Sequence, residues 1–111
     1  MKGVNNMFIA RWSIDVKFGH KDEFISLQKV WQENVGNKIG WEKSKYRVLN
    51  GSIGAAESRF EMEISVDSLA ELEKAWAKLP EIEAHKKFGK DMEPLIVSGS
   101  NNWEIFRVVE L

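Results

Sequence analysis

The sequence contains no cysteine and only two prolines among its 111 residues. Without cysteine, the chain has no disulfide, no thiolate nucleophile and no cysteine zinc site. No apolar run approaches the roughly 18 residues of a membrane span, and residues 1–6 lack the apolar core of a signal peptide. These absences predict a cytoplasmic protein that does not associate with a membrane.

An excess of one charge is also missing, because 16 basic side chains face 17 acidic ones and the net charge is -1. Nucleic-acid surfaces usually carry a basic excess, so no nucleic-acid partner is expected. Hydrophobic residues at 43% and charged residues at 30% are typical of a globular protein, and the length fits one domain over residues 1–111. Tryptophan is abundant, with five copies. Its large contact area predicts that several lie in a core, an interface or a pocket.

The spacing of apolar residues alternates between a period of two and one of about 3.6. Period-two segments predict four strands, at 7–18, 41–49, 55–66 and 103–111. Helical stripes predict three helices, at 20–35, 67–79 and 80–92. The order β-α-β-β-α-(α)-β is the split βαβ pattern of a ferredoxin-like α+β fold. We therefore expect an antiparallel four-stranded sheet with its helices on one face.

The pairing of the second and third strands depends on the loop between them. A two-residue Asn50-Gly51 turn would place Tyr46 on the face of the acidic residues, whereas an odd-length loop or a bulge would place it on the face of Phe60. The second arrangement buries Tyr46 and sets Arg47 against acidic side chains, so burial and cross-strand charge pairing favour it. In the last strand, the inward face stays open between Trp103/Ile105/Val109 and Phe106/Val108.

The sheet face away from the helices is predicted to carry mostly charged residues. Glu57, Glu61 and Glu63 could form an acid–base pair, but alternation sets them opposite lysine and arginine. Ion pairing is the better interpretation. Such a face can be solvated in a monomer, or it can pack against a second sheet in a homodimer.

Three segments together resemble a known superfamily: Met7-Phe8-Ile9-Ala10, Val16-Lys17-Phe18-Gly19, and Trp76 with the run from Pro80 to Lys86. The chain is similar to the dimeric α+β barrel superfamily, and within it to the antibiotic-biosynthesis-monooxygenase-like group, which includes bacterial haem-degrading monooxygenases. The resemblance implies that two ferredoxin-like protomers close their sheets into a barrel. It also implies a pocket between each sheet and its own helices.

Haem-degrading members use a helix histidine as axial ligand, a tryptophan upstream of it and an asparagine on the first strand. His85 and Trp76 occupy comparable places in this sequence, while Trp12 stands where the asparagine would be. The spacing from the tryptophan to the histidine is also one residue shorter. The resemblance therefore leaves the identity of any cofactor open.

The candidate site combines aromatic side chains with small ones on the helix-facing side of the sheet. Trp12 and Trp76, and with them Trp31, either form core or line a pocket. Small residues beside these rings can pack densely or leave a cavity: Ala10, Ala56 and Ser58.

His85, on the inward stripe of the last helix, can ligate a metal or haem, act as an acid or base, or form only local hydrogen bonds. The two histidines have no metal-ligand spacing, so no metal site is expected.

Two functions stay open from the sequence. One is a monooxygenase-like enzyme that binds a small apolar or aromatic molecule, which His85 polarises or deprotonates. The other is a non-catalytic ligand-binding or dimeric structural module. The strand from Glu57 to Ile64 lacks the aromatic stacking signature of an RNA-binding sheet, which counts against that third function.

Overall fold

The computed structural model describes residues 7–111, so the signal-peptide argument from residues 1–6 lies outside the described part. The elements are β1 (Phe8–Asp15), α1 (Lys21–Asn34), β2 (Tyr46–Asn50), β3 (Arg59–Val66), α2 (Leu69–Lys78), α3 (Glu83–Met92) and β4 (Asn102–Arg107). The strands form one antiparallel sheet in the order β2-β3-β1-β4. The predicted ferredoxin-like α+β fold is confirmed.

The core lies between the sheet and the helices. Ala10 of β1 and Ile64 of β3 are fully buried in one cluster with Trp31 of α1 and Leu72 of α2. A second cluster joins Phe24 of α1 to the strands. Its buried members are Ile14, Val16, Phe24, Phe60, Met62 and Leu95. The helical stripe of α1 and the alternation of β1 and β3 therefore meet on one face of the sheet, as their periods predict.

The pairing of β2 with β3 follows the odd-length-loop prediction. Arg47 lies opposite Glu63, and Tyr46 lies opposite Ile64. Tyr46 therefore faces the core, and Arg47 faces the charged side of the sheet. Because a shift of one residue would exchange these two faces, burial of Tyr46 and pairing of Arg47 determine the register together.

Two strands begin later than the alternation predicts. β2 starts at Tyr46 rather than Trp41, because residues 42–46 form a turn in which the Tyr46 N–H donates to the Glu42 carbonyl at 3.0 Å. β3 starts at Arg59 rather than Ala55, because the Arg59 N–H donates to the Ala56 carbonyl at 3.0 Å. The expectation that residues 55–58 belong to the sheet is wrong.

The inward face of β4 is the one that carries Trp103 and Ile105. Trp103 lies opposite Trp12, and Ile105 lies opposite Ala10, so both share the helix side of the sheet. Phe106 points to the other side, where the Arg11 guanidinium lies 5.0 Å from its ring centroid. β4 ends at Arg107, which leaves residues 108–111 outside the strand.

Helix α2 is capped one residue later than the sequence suggests. Ser68 rather than Asp67 is the N-cap, and its Oγ accepts from the Glu71 N–H at 3.1 Å. The Glu71 carboxylate accepts in turn from the Asp67 N–H at 3.2 Å. This reciprocal pairing resembles a capping box, and it satisfies one of the free N–H groups in the first turn of the helix.

Over residues 7–111, no helix is both long and apolar enough to cross a bilayer. A cytoplasmic location stays a prediction from the sequence.

Candidate functional site

A cavity of about 430 Å³ lies between the sheet and the helices. Its size falls within the roughly 300–1,000 Å³ of small-molecule sites. Its walls are formed by Trp12, Gln28, Trp31, Trp41, Tyr46, Met62, Ile64, Trp76, Leu79, His85, Phe88, Gly89, Met92 and Trp103. All five tryptophans of the chain therefore border one space.

One wall consists of three tryptophans contributed by two strands and one helix. Trp12 of β1 lies beside Trp103 of β4, with ring centroids 6.4 Å apart. The Trp76 ring from α2 meets Trp103 edge to face at 5.1 Å. These spacings match the preferred geometry of aromatic pairs. The pairing of β1 with β4 and the apolar stripe of α2 place these rings together.

Another part of the wall is a second aromatic cluster around Trp31 of α1. Its ring lies 5.7 Å from Tyr46, 6.0 Å from Trp41 and 6.0 Å from Phe88. Trp41 and Tyr46 are nearly parallel, at an interplanar angle of 18°. The two walls present flat apolar surfaces, which suits a flat apolar ligand.

His85 of α3 is held by a hydrogen bond from the aromatic wall. The Trp31 Nε1–H donates to His85 Nδ1 at 3.1 Å. Burial lowers the pKa of His85, so the imidazole is neutral near pH 7. A neutral imidazole that accepts at Nδ1 carries its proton on Nε2. His85 therefore offers an N–H group rather than a lone pair on its other nitrogen.

This tautomer does not fit the axial ligation of haem implied by the sequence resemblance. A histidine ligand uses an unprotonated ring nitrogen, and its other nitrogen normally donates to an acceptor. Here Nδ1 is occupied by a donor, Trp31. The bulky Trp12 lines the cavity where the haem-degrading pattern has asparagine. The residues present therefore do not fit a histidine-ligated haem.

The described residues also contain no group of three or more His, Asp or Glu side chains placed to hold a metal ion. His20 lies at the N-cap of α1, where its Nδ1 is 3.0 Å from a Glu23 carboxylate oxygen. It does not border the aromatic cavity.

Polar side chains in the cavity walls supply hydrogen-bond donors, and some of these donors have no acceptor within residues 7–111. Tyr46 Oη donates to Gln28 Oε1 at 3.0 Å, and burial raises the pKa of the tyrosine so that this proton is retained. Gln28 Nε2, Trp41 Nε1 and Trp76 Nε1 are shielded from solvent and have no partner within residues 7–111. Leaving a buried donor unpaired costs about 1–3 kcal/mol.

The structure brings together three of the six predicted site residues. Trp12, Trp76 and His85 all border the cavity. Ala10 is fully buried in the adjacent core and does not border the cavity. The prediction that these side chains bind a ligand stays a prediction.

Two of the predicted site residues lie elsewhere. Ala56 and Ser58 are exposed in the loop before β3 and do not line the cavity. The Ser58 carbonyl instead accepts from the Val16 N–H at 2.8 Å. Their assignment to the helix-facing side of a strand is wrong, because the alternating pattern continues by chance through a turn.

Four further wall residues that carry a polar side-chain atom had no cavity role predicted from the sequence: Gln28, Trp41, Tyr46 and Trp103. A buried glutamine on the inward stripe of α1 was the available signal for Gln28. For Tyr46, the available signal was the predicted inward orientation of its side chain on the second strand. Trp41 and Trp103 required the tertiary structure, since one lies in a loop and the other lies on a strand whose inward face was undecided.

The other face of the sheet confirms the ion-pair interpretation for Glu61 and Glu63 but not for Glu57. Arg11 Nε and Arg47 Nε donate to the two oxygens of Glu63 at 2.7 and 2.8 Å. Burial alone would raise the pKa of Glu63, but the hydrogen bonds and charges of the two arginines outweigh it and lower that pKa. Arg59 pairs with Glu61 at 3.1 Å, whereas Glu57 lies in the exposed loop.

No protein-family model matches the sequence, and no curated protein matches it. Solved structures do match. A NIPSNAP family protein from Agrobacterium tumefaciens superposes with a TM-score of 0.81 at 16% identity, over 99% of this chain and 92% of that one. A NIPSNAP-like domain protein from Burkholderia xenovorans gives 0.73 at 16% identity, over 96% and 88%.

A proposed antibiotic biosynthesis monooxygenase from Caulobacter crescentus gives a TM-score of 0.69 at 17% identity, over 96% of this chain and 92% of that one. At these identities the similarity shows the fold alone. It confirms the fold that the resemblance implied, because the matched NIPSNAP and monooxygenase-like structures have the ferredoxin-like α+β fold.

Proposed function

We propose that this protein binds a small, flat, apolar or aromatic molecule in the cavity between its sheet and helices. The supporting observation is the cavity of about 430 Å³ bordered by all five tryptophans. Protein cores are close-packed and contain few voids larger than a water molecule. Aromatic rings around a space of this size are typical of a ligand site rather than of a core.

We further propose a monooxygenase-like enzyme, in which His85 polarises the bound molecule through Nε2–H. The hydrogen bond from Trp31 supports polarisation over deprotonation, because a base needs a free lone pair. The name of the Caulobacter crescentus structure supports the class of activity by fold analogy alone. The alternative is a non-catalytic ligand-binding or dimeric structural module, in which the same cavity carries no chemistry.

The proposed working form is a homodimer of single-domain protomers whose sheets pack face to face. The face away from the helices carries the Glu63 ion pairs together with exposed apolar side chains, Leu49 and Phe106. Pairing neutralises the charges of Arg11 and Glu63 before they are covered, which reduces the cost of burying them. A second copy would cover this face and complete the barrel.

Native mass spectrometry of freshly purified protein tests the ligand site. A dimer with a retained small-molecule adduct is the expected result, and the adduct mass identifies the ligand class. Haem as the retained adduct, with loss of it in His85→Ala, would contradict the assigned tautomer. Absence of an adduct, together with no binding of aromatic probes, would remove the support for a ligand site.

The same measurement tests the dimer with a matched pair of variants. Phe106→Glu puts a charge on the proposed interface, so we expect a folded monomer. Phe18→Glu makes the same chemical change at a fully exposed position in the β1–α1 turn, and we expect it to stay dimeric. A monomeric wild-type protein, or equal dimerisation of both variants, would overturn the barrel assembly.

A further inference from the structure

We propose that the cavity recognises molecules through a hydrogen-bond-accepting oxygen, such as a carbonyl, held by His85 Nε2–H. This inference rests on the proposed function and specifies its ligand chemistry. It also assigns a role to Trp31 as the positioning residue that fixes the tautomer of His85. The aromatic walls alone would favour any flat apolar molecule and would not require the ligand to carry a hydrogen-bond acceptor.

The hydrogen bond between Trp31 and His85 can have only one direction. An indole nitrogen is only a donor, so the 3.1 Å contact requires a lone pair on His85 Nδ1. The hydrogen bond is therefore directional, and it leaves the proton of the neutral ring on Nε2. A serine or a glutamine in place of Trp31 could adapt to either tautomer, whereas the indole cannot.

The other polar atoms around the cavity differ in whether they already have a hydrogen-bond partner. The acceptors His85 Nδ1 and Gln28 Oε1 already receive hydrogen bonds, from Trp31 and Tyr46. Among residues 7–111, the solvent-shielded atoms of the cavity walls that have no partner are donors: Gln28 Nε2, Trp41 Nε1 and Trp76 Nε1. Trp41 and Gln28 are at least nine-tenths buried, so solvent does not serve them.

The donors in the cavity walls would give the cavity different affinities for ligands of different hydrogen-bonding type. A ligand oxygen can accept from His85, and other acceptors on the ligand can accept from the unpaired N–H groups of the walls. An aromatic amine is a poor acceptor, because its nitrogen lone pair is delocalised into the ring, and it would offer mainly N–H donors to the Nε2–H group. A hydrocarbon would leave all of these donors unpaired. Because donors shielded from solvent, such as Trp41 Nε1, are costly to leave unpaired, the three ligand types differ in affinity.

Three naphthalenes of similar size test this inference on the full chain: 2-acetylnaphthalene, 2-isopropylnaphthalene and 2-aminonaphthalene. Their dissociation constants follow from titrations monitored by the five indole N–H signals in ¹H–¹⁵N spectra. We expect the acetyl compound to bind about tenfold more tightly than the isopropyl one, roughly the value of one hydrogen bond. We expect no such advantage for the amine.

A variant pair connects the preference to His85. In His85→Leu the advantage of the acetyl compound should fall to about twofold or less, since the donor is gone. Lys86→Leu makes a leucine at the next, exposed position of α3 and should keep the advantage. An advantage that persists in His85→Leu would overturn the assignment to His85.

The tautomer is measured directly on the wild type by the ¹⁵N shifts of the His85 ring, which does not depend on any variant folding. We expect the Nε2–H form, a shift toward a mixture in Trp31→Phe, and no change in Trp41→Phe. Nδ1–H in the wild type would overturn the inference. Equal affinity for all three naphthalenes would overturn it while leaving the proposed function intact, whereas no binding of any would overturn both.

Discussion

Gly89 provides a way to fill the cavity without disturbing the rest of the fold. It lies on α3, borders the cavity and is itself exposed. A Cβ atom built there would meet no heavy atom within 4 Å. Its backbone is not in the left-handed region, unlike Gly19 or Gly40, so no turn requires a glycine. A larger side chain at this position is therefore tolerated.

The expected effects on stability and on binding have opposite signs. Glycine inside a helix costs about 0.5–1 kcal/mol relative to alanine, and leucine is nearly as good a helix former as alanine. Gly89→Ala and Gly89→Leu should therefore each raise the free energy of unfolding by about 0.5–1 kcal/mol, or Tm by about 2–4 °C. A leucine that occupies ligand space should cost the complex about 1–3 kcal/mol, a roughly 5- to 150-fold weaker affinity.

The assay combines thermal unfolding with the 2-acetylnaphthalene titration for both variants. Gly89→Ala is the control, because it shares the helix-propensity gain but adds only one methyl group. The reasoning is refuted if Gly89→Leu binds the probe as tightly as Gly89→Ala, because the ligand would then lie elsewhere. A loss of stability in Gly89→Leu would show that the position is not open.

Two further predictions concern the charged groups. Glu63→Gln should lower the free energy of unfolding by about 1–3 kcal/mol in urea denaturation, because Arg11 and Arg47 lose their charged acceptor; a neutral result would mean that the ion pairs are not structurally important. Because the pKa of folded Glu63 is lowered, its stabilising contribution should be present above the ordinary glutamate pKa and lost as pH falls through the lowered value. The pKa of His85 is also lowered on folding, so only the unfolded chain takes up its proton just below the ordinary histidine pKa of about 6.5. Stability should therefore decrease as pH falls from about 7 toward the lowered value, and His85→Gln should flatten that slope; an unchanged slope would place the titration on another group.

The sequence by itself determined the elements and the pairing of the strands. Periodicity is a local property, and the stripe through Phe24 and Trp31 predicts α1 as directly as the alternation in β1 predicts a strand. The pairing of β2 with β3 was also accessible, because burial of Tyr46 and the charge of Arg47 favour the same register. Both arguments need only neighbouring residues and one cross-strand relation.

The tertiary structure decided where the strands end and how the cavity is formed. Ala56 continues an alternating pattern into a loop, and hydrogen bonds within that turn, rather than side-chain pattern, exclude it from β3. The contact between Trp31 and His85 joins residues 54 positions apart. Such a contact depends on how α3 packs against α1. The sequence identified His85 as a candidate, but only packing determined that its partner is a donor, and that partner sets the chemistry His85 can offer.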